Sequence, residues 1–233
     1  QQGSERIIVK DPTGAGPLQG IVSVSAGRLF GMALSADGKV YAWGWNSDGQ
    51  TGRGTRGDPE PLPAVVRRND DGTELNNIVA ISAGYAFGLA LTADGKVYAW
   101  GQNSNGQLGQ GARTASTNPP TVRAVLVKDP SGTGVLSNIA MIKAGGHHAL
   151  AVDRNGKMFS WGRSVNGQLG DGANRPIYNE AHKPIAVVGP ASTGQFGDIA
   201  AIAAGYYNSL AVTSSGEVYT WGWNFRGALG NGS

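Results

Sequence analysis

The sequence predicts an all-β fold, a single β-propeller domain over residues 1–233 with four blades of four antiparallel strands each. Three observations support this prediction. One frame, which runs from an Ala-Gly pair to a Trp-Gly pair, occurs four times, strand-like segments flank every copy, and each copy contains a hairpin-turn signal. A frame of constant length between spacers of variable length is typical of repeat proteins, because insertions fall in the loops between structural units.

The four frames keep a constant spacing between one glycine and one tryptophan. These structural markers are Gly27 and Trp43, Gly84 and Trp100, Gly145 and Trp161, and Gly205 and Trp221. Together with the glycine-rich segment after each tryptophan, the repeat frames cover residues 26–54, 83–111, 144–172 and 204–232. Because the tryptophans occupy one column of the repeat, we expect them to pack between strands or blades in every copy.

Each repeat contains four segments with strand character. In the second repeat, residues 78–82, 87–92 and 97–100 are rich in apolar residues, and an Asp-Gly pair between the last two favours a tight hairpin turn. Residues 122–127 provide a more distant fourth segment. Four short strands separated by turns are typical of a propeller blade.

The first residues resemble the fourth strand of a blade whose other strands do not precede it. Lys10 lies as far before Gly27 as Lys128 lies before Gly145, and similar apolar residues precede both lysines. The last repeat lacks such a segment. We therefore expect residues 1–20 to form a strand and hairpin loop that complete the last blade, within the chain or in a neighbouring chain, because an unpaired sheet edge promotes aggregation.

Composition narrows the class of protein. The 233 residues include 38 glycines and 11 prolines, yet 40% are hydrophobic, which argues against a disordered chain. Cysteine is absent, which excludes disulfides but leaves a secreted and a cytoplasmic location equally open. A net charge of +3 from scattered basic residues argues against a nucleic-acid partner, and no apolar run is long enough to span a membrane as a helix.

No motif for catalysis, cofactor binding or metal binding is present. The sequence contains no H-E-x-x-H, G-x-S-x-G or P-loop motif, and the G-x-G-x-x-G match at residues 52–57 opens no helix. His147 and His148 are adjacent in a predicted strand, so their side chains point to opposite faces. We expect His148 to be hydrogen-bonded near the core. The sequence thus predicts a protein that is not an enzyme and that binds no cofactor and no metal.

Variable slots in equivalent loops form the candidate recognition surface. The slots after each Ala-Gly and each Trp-Gly pair differ among the four copies and are often aromatic or basic. Because these loops leave successive blades at equivalent points, we expect them to gather on one face near the axis. Trp45 and Trp223 occupy slots of this kind, and tryptophan is a frequent interface anchor. The candidate partner-binding residues are Arg28, Trp45, Tyr85, Gln102, His147, Arg163, Tyr206, Tyr207 and Trp223.

The repeated run Ala-Gly, Leu-Ala-Leu, Asp-Gly-Lys-Val-Tyr-Ala-Trp-Gly and Gly-Gln-Leu-Gly resembles the repeat of the regulator of chromosome condensation family over essentially the whole chain. The resemblance implies a β-propeller. Well-known members have seven blades, whereas four repeats stand here, so a closed four-bladed ring, an open arc and an eight-bladed pair of chains all remain open. The best-known member exchanges nucleotide on a small GTPase. Its usual histidine before the Leu-Ala-Leu strand corresponds here to Phe30, Phe87, His148 and Asn208.

The first functional hypothesis is a non-enzymatic protein-binding or assembly module that uses the loop face of the propeller. The alternatives are a guanine-nucleotide-exchange regulator of a small GTPase, as the resemblance implies, and a glycan-binding, lectin-like propeller. The expected interactions are with a protein partner or with a second copy through the split blade.

Overall fold

The computed structural model describes residues 5–114, 121–172 and 180–233, and these residues form four antiparallel sheets. This arrangement confirms the all-β propeller class. The strands within each sheet follow one another in chain order, as expected for blades built from consecutive hairpins. The described residues contain no α-helix, and the two short 3-10 turns are Pro190–Ser192 and Phe225–Gly227.

Three blades have four strands and the fourth has three. Blade 1 consists of β1 (Ile21–Ala26), β2 (Phe30–Ser35), β3 (Val40–Asn46) and β4 (Gly57–Val65). Blade 2 consists of β5 (Ile78–Ala83), β6 (Phe87–Thr92), β7 (Val97–Gly101) and β8 (Thr121–Leu126). Blade 3 consists of β9 (Ile139–Ala144), β10 (His148–Asp153), β11 (Met158–Arg163) and β12 (Glu180–Ala186). Blade 4 consists of β13 (Ile199–Ala204), β14 (Asn208–Thr213) and β15 (Val218–Gly222).

The column of tryptophans joins each blade to the one before it. In three copies the indole N–H donates to a main-chain carbonyl oxygen of the preceding blade. These pairs are Trp100 and Gln50 at 2.9 Å, Trp161 and Gln107 at 2.9 Å, and Trp221 and Gln168 at 3.0 Å. Trp100 and Trp161 are fully buried, whereas Trp43, at the start of the series, is half-buried and has no such acceptor in the described part of the chain.

The column of glycines permits the closest approach of the blades near the axis. A Cβ atom on Gly84 would lie 2.1 Å from the Phe87 ring and 2.7 Å from the carbonyl oxygen of Gly145 in the next blade, so no larger residue fits there. Main-chain hydrogen bonds continue the link from blade to blade. They are Arg28 N–H to Tyr85 O at 3.1 Å, Tyr85 N–H to Gly146 O at 3.1 Å, and Gly146 N–H to Gly205 O at 3.2 Å.

The structure does not show the N-terminal segment completing blade 4 within the chain. Residues 5–9 join no strand of that sheet, and Ile7 is 82% exposed. Lys10 instead pairs with Pro17 in a hairpin, and the Leu18 N–H donates to the Val9 carbonyl at 2.8 Å. The hairpin leads into β1, and the links between blades run in series from blade 1 to blade 4, with no equivalent link from blade 4 to blade 1 among the described residues. The N-terminal segment therefore stays with blade 1 and leaves β15 as an edge.

His148 lies in the core, as predicted. Its side chain is fully buried, and its Nε2–H donates to Ser209 Oγ at 2.9 Å, because the Ser209 hydroxyl itself donates to the Gln168 carbonyl at 2.8 Å. Burial and, to a smaller extent, the neighbouring His147 lower the pKa of His148 from 6.5 to about 3. The ring is therefore neutral in the folded protein throughout the physiological range.

We predict that the buried neutral His148 makes the free energy of unfolding decrease as the pH is lowered. The unfolded imidazole takes up a proton below about pH 6.5, whereas the folded one does so only near pH 3, so stability present above pH 6.5 is lost between these values. In the variant His148→Phe the loss between pH 6.5 and 4.5 should be smaller by about 2 kcal/mol. Phenylalanine fits because Phe30 and Phe87 hold the same position in blades 1 and 2.

Urea unfolding of both proteins across this pH range measures the effect. Equal dependence of the free energy of unfolding on pH in the two proteins would contradict a neutral, buried His148.

Candidate functional site

A repeated main-chain hydrogen bond builds the platform for the candidate site. In every blade, the residue after the Trp-Gly pair donates its N–H to the carbonyl oxygen of the second residue after the Ala-Gly pair. These pairs are Trp45 and Leu29 at 2.8 Å, Gln102 and Ala86 at 2.9 Å, Arg163 and His147 at 2.9 Å, and Trp223 and Tyr207 at 3.0 Å. The two variable slots of each blade are thus held side by side.

The glycine before each of these donors is needed for the contact. Gly44 has a φ of 107°, and a Cβ atom there would lie 2.6 Å from the carbonyl oxygen of Leu29. Gly222 has a φ of 108°, and its Cβ atom would lie 2.4 Å from the carbonyl oxygen of Tyr207. Left-handed φ and the close carbonyl both favour glycine, so the loop geometry is set by the repeat and not by the variable side chains.

The variable side chains form one surface, here called the loop face. It combines the nine predicted residues with three neighbours. Its residues are Arg28, Leu29, Trp45, Tyr85, Gln102, His147, Arg163, Tyr206, Tyr207, Trp223, Phe225 and Arg226. The structure brings the predicted residues together, but whether they bind a partner stays a prediction.

A continuous band of rings crosses the loop face from blade 2 to blade 4. Each ring contacts the next edge-on, tilted or stacked, in the geometries that aromatic pairs favour. The centroid distances are 5.0 Å from Tyr85 to His147, 5.4 Å from His147 to Tyr206, 4.4 Å from Tyr206 to Tyr207, 5.1 Å from Tyr207 to Trp223, and 4.9 Å from Trp223 to Phe225. Tyr85 also contacts Tyr206 edge-on at a centroid distance of 5.6 Å, so the rings of Tyr85, His147 and Tyr206 all contact one another.

Arginine side chains lie on this band. The guanidinium of Arg28 is hydrogen-bonded to the Tyr85 hydroxyl and lies 4.9 Å from the ring centroid. Arg163 lies 5.3 Å from the Tyr207 centroid, and Arg226 lies 5.3 Å from the Phe225 centroid. Such cation–π contacts contribute about 0.5–1 kcal/mol at exposed sites and keep the charges at the surface.

His147 occupies the centre of the band and is neutral. Burial and, to a smaller extent, the nearby positive charge of Arg163 lower its pKa from 6.5 to about 4. Its Nδ1 lies 3.1 Å from Gln102 Oε1 and its Nε2 lies 3.1 Å from the Tyr206 hydroxyl. The amide oxygen can only accept, so Nδ1 carries the hydrogen and Nε2 accepts from the tyrosine.

Trp45 lies apart from the band, at a shallow pocket of about 210 Å³ that Arg28, Leu29, Tyr85 and Asp48 also line. Its indole N–H donates to Ser47 Oγ at 2.6 Å. Trp45 is 42% exposed, and Trp223 is 44% exposed. Both tryptophans therefore offer apolar area to a partner, while their main chains are fixed.

Sequence reasoning missed Phe225 and Arg226. Phe225 is 56% exposed and stacks on Trp223, with an angle of 15° between the ring planes. The signal was present, because Phe225 stands in a turn position where the second and first repeats have Ser104 and Ser47. The third repeat has Val165 in this slot, so Phe225 is the one aromatic residue among the four copies. An aromatic residue in a slot that holds smaller side chains in the other copies indicates exposure for recognition, the reasoning already applied to Trp45.

No three His, Cys, Asp or Glu side chains gather in a metal-binding arrangement within residues 5–114, 121–172 and 180–233. In the same ranges no helix has the length and hydropathy needed to cross a bilayer.

Comparisons with known proteins agree with the fold. A family model described as the RCC1-like domain matches residues 2–233. The chain is 35% identical over 230 residues to the ultraviolet-B receptor UVR8 of Arabidopsis thaliana, which covers 95% of the chain and 46% of UVR8. It is 32% identical over 232 residues to the probable E3 ubiquitin-protein ligase HERC6 of Homo sapiens, which covers 99% of the chain and 21% of HERC6. The chain thus spans less than half the length of these relatives.

Two solved structures have the same architecture. Human WBSCR16 superposes with a TM-score of 0.74 at 25% identity, over 91% of this chain and 50% of that protein. Yeast RCC1 (Prp20), crystallised with Kap60, superposes with a TM-score of 0.68 at 25% identity, over 88% of this chain and 44% of that one.

We predict that Arg163 keeps the pKa of His147 low. In the variant Arg163→Gln, which takes the residue of the same slot in blade 2, the pKa of His147 should rise above about 4, because a nearby cation no longer opposes protonation. It should stay below 6.5, since burial is the larger cause. Titration of the His147 ring by NMR measures the shift. The matched variant Arg226→Gln should leave the pKa unchanged, and an unchanged value in Arg163→Gln would contradict the geometry.

Proposed function

The chain belongs to the RCC1-like domain family, and on that premise we propose that it is a non-enzymatic module that binds a protein partner on its loop face. The observation that carries the proposal is the band of rings from Tyr85 to Phe225, which holds exposed aromatic side chains on a fixed main chain. Aromatic residues and arginine are enriched at the energetically dominant positions of protein interfaces.

The charge of the loop face favours an acidic partner. Arg28, Arg163 and Arg226 lie on or beside the rings, and Asp48 lines the Trp45 pocket together with Arg28. A segment that carries carboxylates next to apolar side chains would pair with the guanidinium groups and pack against the rings. Bidentate pairs between arginine and carboxylate are among the strong hydrogen bonds in proteins.

Relatives support a protein partner without identifying it. Yeast RCC1 was crystallised with another protein, Kap60. UVR8 is an ultraviolet-B receptor and HERC6 a probable ubiquitin ligase, and these activities belong to those longer proteins. Nucleotide exchange on a small GTPase remains an alternative function, which the family resemblance implies. Glycan binding remains a second alternative, because exposed aromatic rings also stack on sugars.

We expect selection from a phage-displayed random peptide library to yield ligands that combine Asp or Glu with apolar residues. These peptides should bind the double variant Tyr206→Ala, Trp223→Ala about tenfold more weakly or worse, because each truncation removes an interface ring worth more than about 1 kcal/mol. Isothermal titration calorimetry with a selected peptide measures the change.

The matched control is Val79→Ala, which truncates an exposed apolar residue at the opposite end of a blade. Val79 follows Ile78, whose N–H bonds to Gly38 in the hairpin-turn region, away from the loop face. The affinity of the Val79→Ala variant for the peptide should equal that of the unmodified chain. Equal binding by the double variant would remove the loop face as the site. Selective binding on a glycan array, or faster nucleotide release from a GTPase, with no peptide selected would favour the alternatives.

A further inference from the structure

Two variable slots meet on the loop face wherever one blade joins the next. Between blades 2 and 3, Nδ1 of His147 lies 3.1 Å from Oε1 of Gln102. Between blades 3 and 4, the guanidinium of Arg163 lies 5.3 Å from the ring centroid of Tyr207. At both junctions a ring of the later blade therefore fills the space beside the variable slot of the earlier blade.

The junction of blades 1 and 2 has no such ring. The two slots there hold Trp45 and Ala86, and both residues line the Trp45 pocket of about 210 Å³. Ala86 is itself buried, and its methyl group is much smaller than the rings of His147 and Tyr207 at the same position. The pocket thus lies where the repeat places a ring at the other two junctions, between two blades that both have four strands.

A buried amide group of the pocket lacks a partner. Gln50 is 2% exposed and lines the pocket, and its Oε1 accepts the Asp48 N–H at 2.9 Å. At the same position of blade 2, Gln107 donates from Nε2 to Oε1 of Gln102 at 3.2 Å. Trp45 replaces Gln102 in blade 1, and an indole offers no acceptor, so Nε2 of Gln50 donates to no group in the described part of the chain. An acceptor atom in the pocket would remove the cost of this unpaired donor.

We propose that the Trp45 pocket binds a tyrosine side chain of the protein partner, an inference that rests on the loop face being the partner-binding site. The phenol ring packs beside Trp45 and takes the place that His147 and Tyr207 occupy at the other two junctions. Its hydroxyl oxygen accepts from Nε2 of Gln50, and its hydroxyl hydrogen is donated to the carboxylate of Asp48, which lines the same pocket. Tyrosine is among the residues that dominate the binding energy of protein interfaces, and such residues fill pockets of this kind.

The polar groups of the pocket favour tyrosine over phenylalanine and glutamate. A phenylalanine ring would fill the space and leave Nε2 of Gln50 unpaired. A glutamate would accept from Gln50, but its charge would lie beside the carboxylate of Asp48 and it has no ring to contact Trp45. Arg28 also lines the pocket, and its guanidinium is already held on the ring and hydroxyl of Tyr85. A phenol combines an apolar ring with one atom that both donates and accepts.

Binding of N-acetyltyrosinamide tests the pocket without any protein partner. In a nitrogen–proton correlation spectrum this uncharged probe should shift the indole N–H signal of Trp45, which the variant Trp45→Phe identifies among those of the six tryptophans. N-acetylphenylalaninamide should bind about tenfold more weakly, because it lacks the hydroxyl that pairs with Gln50. The amide of N-acetylglutamate should leave the Trp45 signal unshifted. A Trp45 signal that N-acetyltyrosinamide does not shift, or equal affinity for the tyrosine and phenylalanine probes, would overturn the proposal.

The variant Ala86→Tyr should abolish binding of the tyrosine probe, because it fills the pocket from within the chain. Its circular dichroism spectrum should be unchanged, since Tyr206 and Tyr207 occupy in blade 4 the two slots that Tyr85 and Ala86 occupy in blade 2. Only the main-chain carbonyl of Ala86 takes part in the repeated hydrogen bond of the loop face. The matched control Arg226→Gln changes a loop-face residue outside the pocket and should leave the affinity for the probe unchanged. Unchanged probe affinity in Ala86→Tyr would overturn the proposal.

Peptides selected on the loop face separate this proposal from the proposed function. They should contain a tyrosine whose replacement by phenylalanine weakens binding to the unmodified chain about tenfold and has no effect on binding to Ala86→Tyr, because the two changes remove the same contact. Peptides that bind the unmodified chain and Ala86→Tyr equally well would overturn the tyrosine pocket and leave the loop face as the binding site. Binding of the tyrosine probe by a chain that selects no peptide would support the pocket and contradict the protein-binding function.

Discussion

Contact between consecutive blades is the constraint on which the rest of the structure depends. Each buried indole N–H donates to a carbonyl oxygen of the preceding blade, as that of Trp100 does to Gln50. Loss of such a partner lowers the free energy of unfolding by about 1–3 kcal/mol. The facing glycine must stay small, since a Cβ atom on Gly52 would lie 2.9 Å from the Trp100 ring. The core of each blade is therefore completed by the neighbouring blades. This explains why the cores of blades 2 and 3 are buried, whereas Trp43 in blade 1 is only half-buried and Val218 in blade 4 is exposed.

The parts of the fold that recur in every repeat could be predicted from the sequence. Glycine and tryptophan at a constant spacing fix the hairpin between the second and third strands, and the structure has β6 and β7 within a residue of the predicted segments. His148 was predicted to be hydrogen-bonded near the core, and it is fully buried as the first residue of β10, whereas His147 precedes that strand. The gathering of the variable slots on one face followed in the same way, because equivalent loops of stacked units must meet at one end.

What could not be predicted depends on relations between distant parts of the chain. The segment that contains Val9 has the sequence of a fourth strand, but its partner depends on the angle between successive blades, which no local pattern encodes. Bulges let β4 begin as early as Gly57, because the ladder resumes beyond each interruption. The contribution of Phe225 to the ring band arises from stacking across a turn, and sequence spacing alone does not reveal it.

The hydrogen bond that pairs the two loop slots of each blade involves only main-chain atoms. Leu29, Ala86, His147 and Tyr207 all accept it equally, although their side chains share neither size nor polarity. The fold is thereby uncoupled from the side chains in these slots, and each blade displays two positions at which the side chain can change. Four blades supply eight such positions whose chemistry can change independently. Related chains of this architecture can therefore acquire unrelated partners without a change in the scaffold.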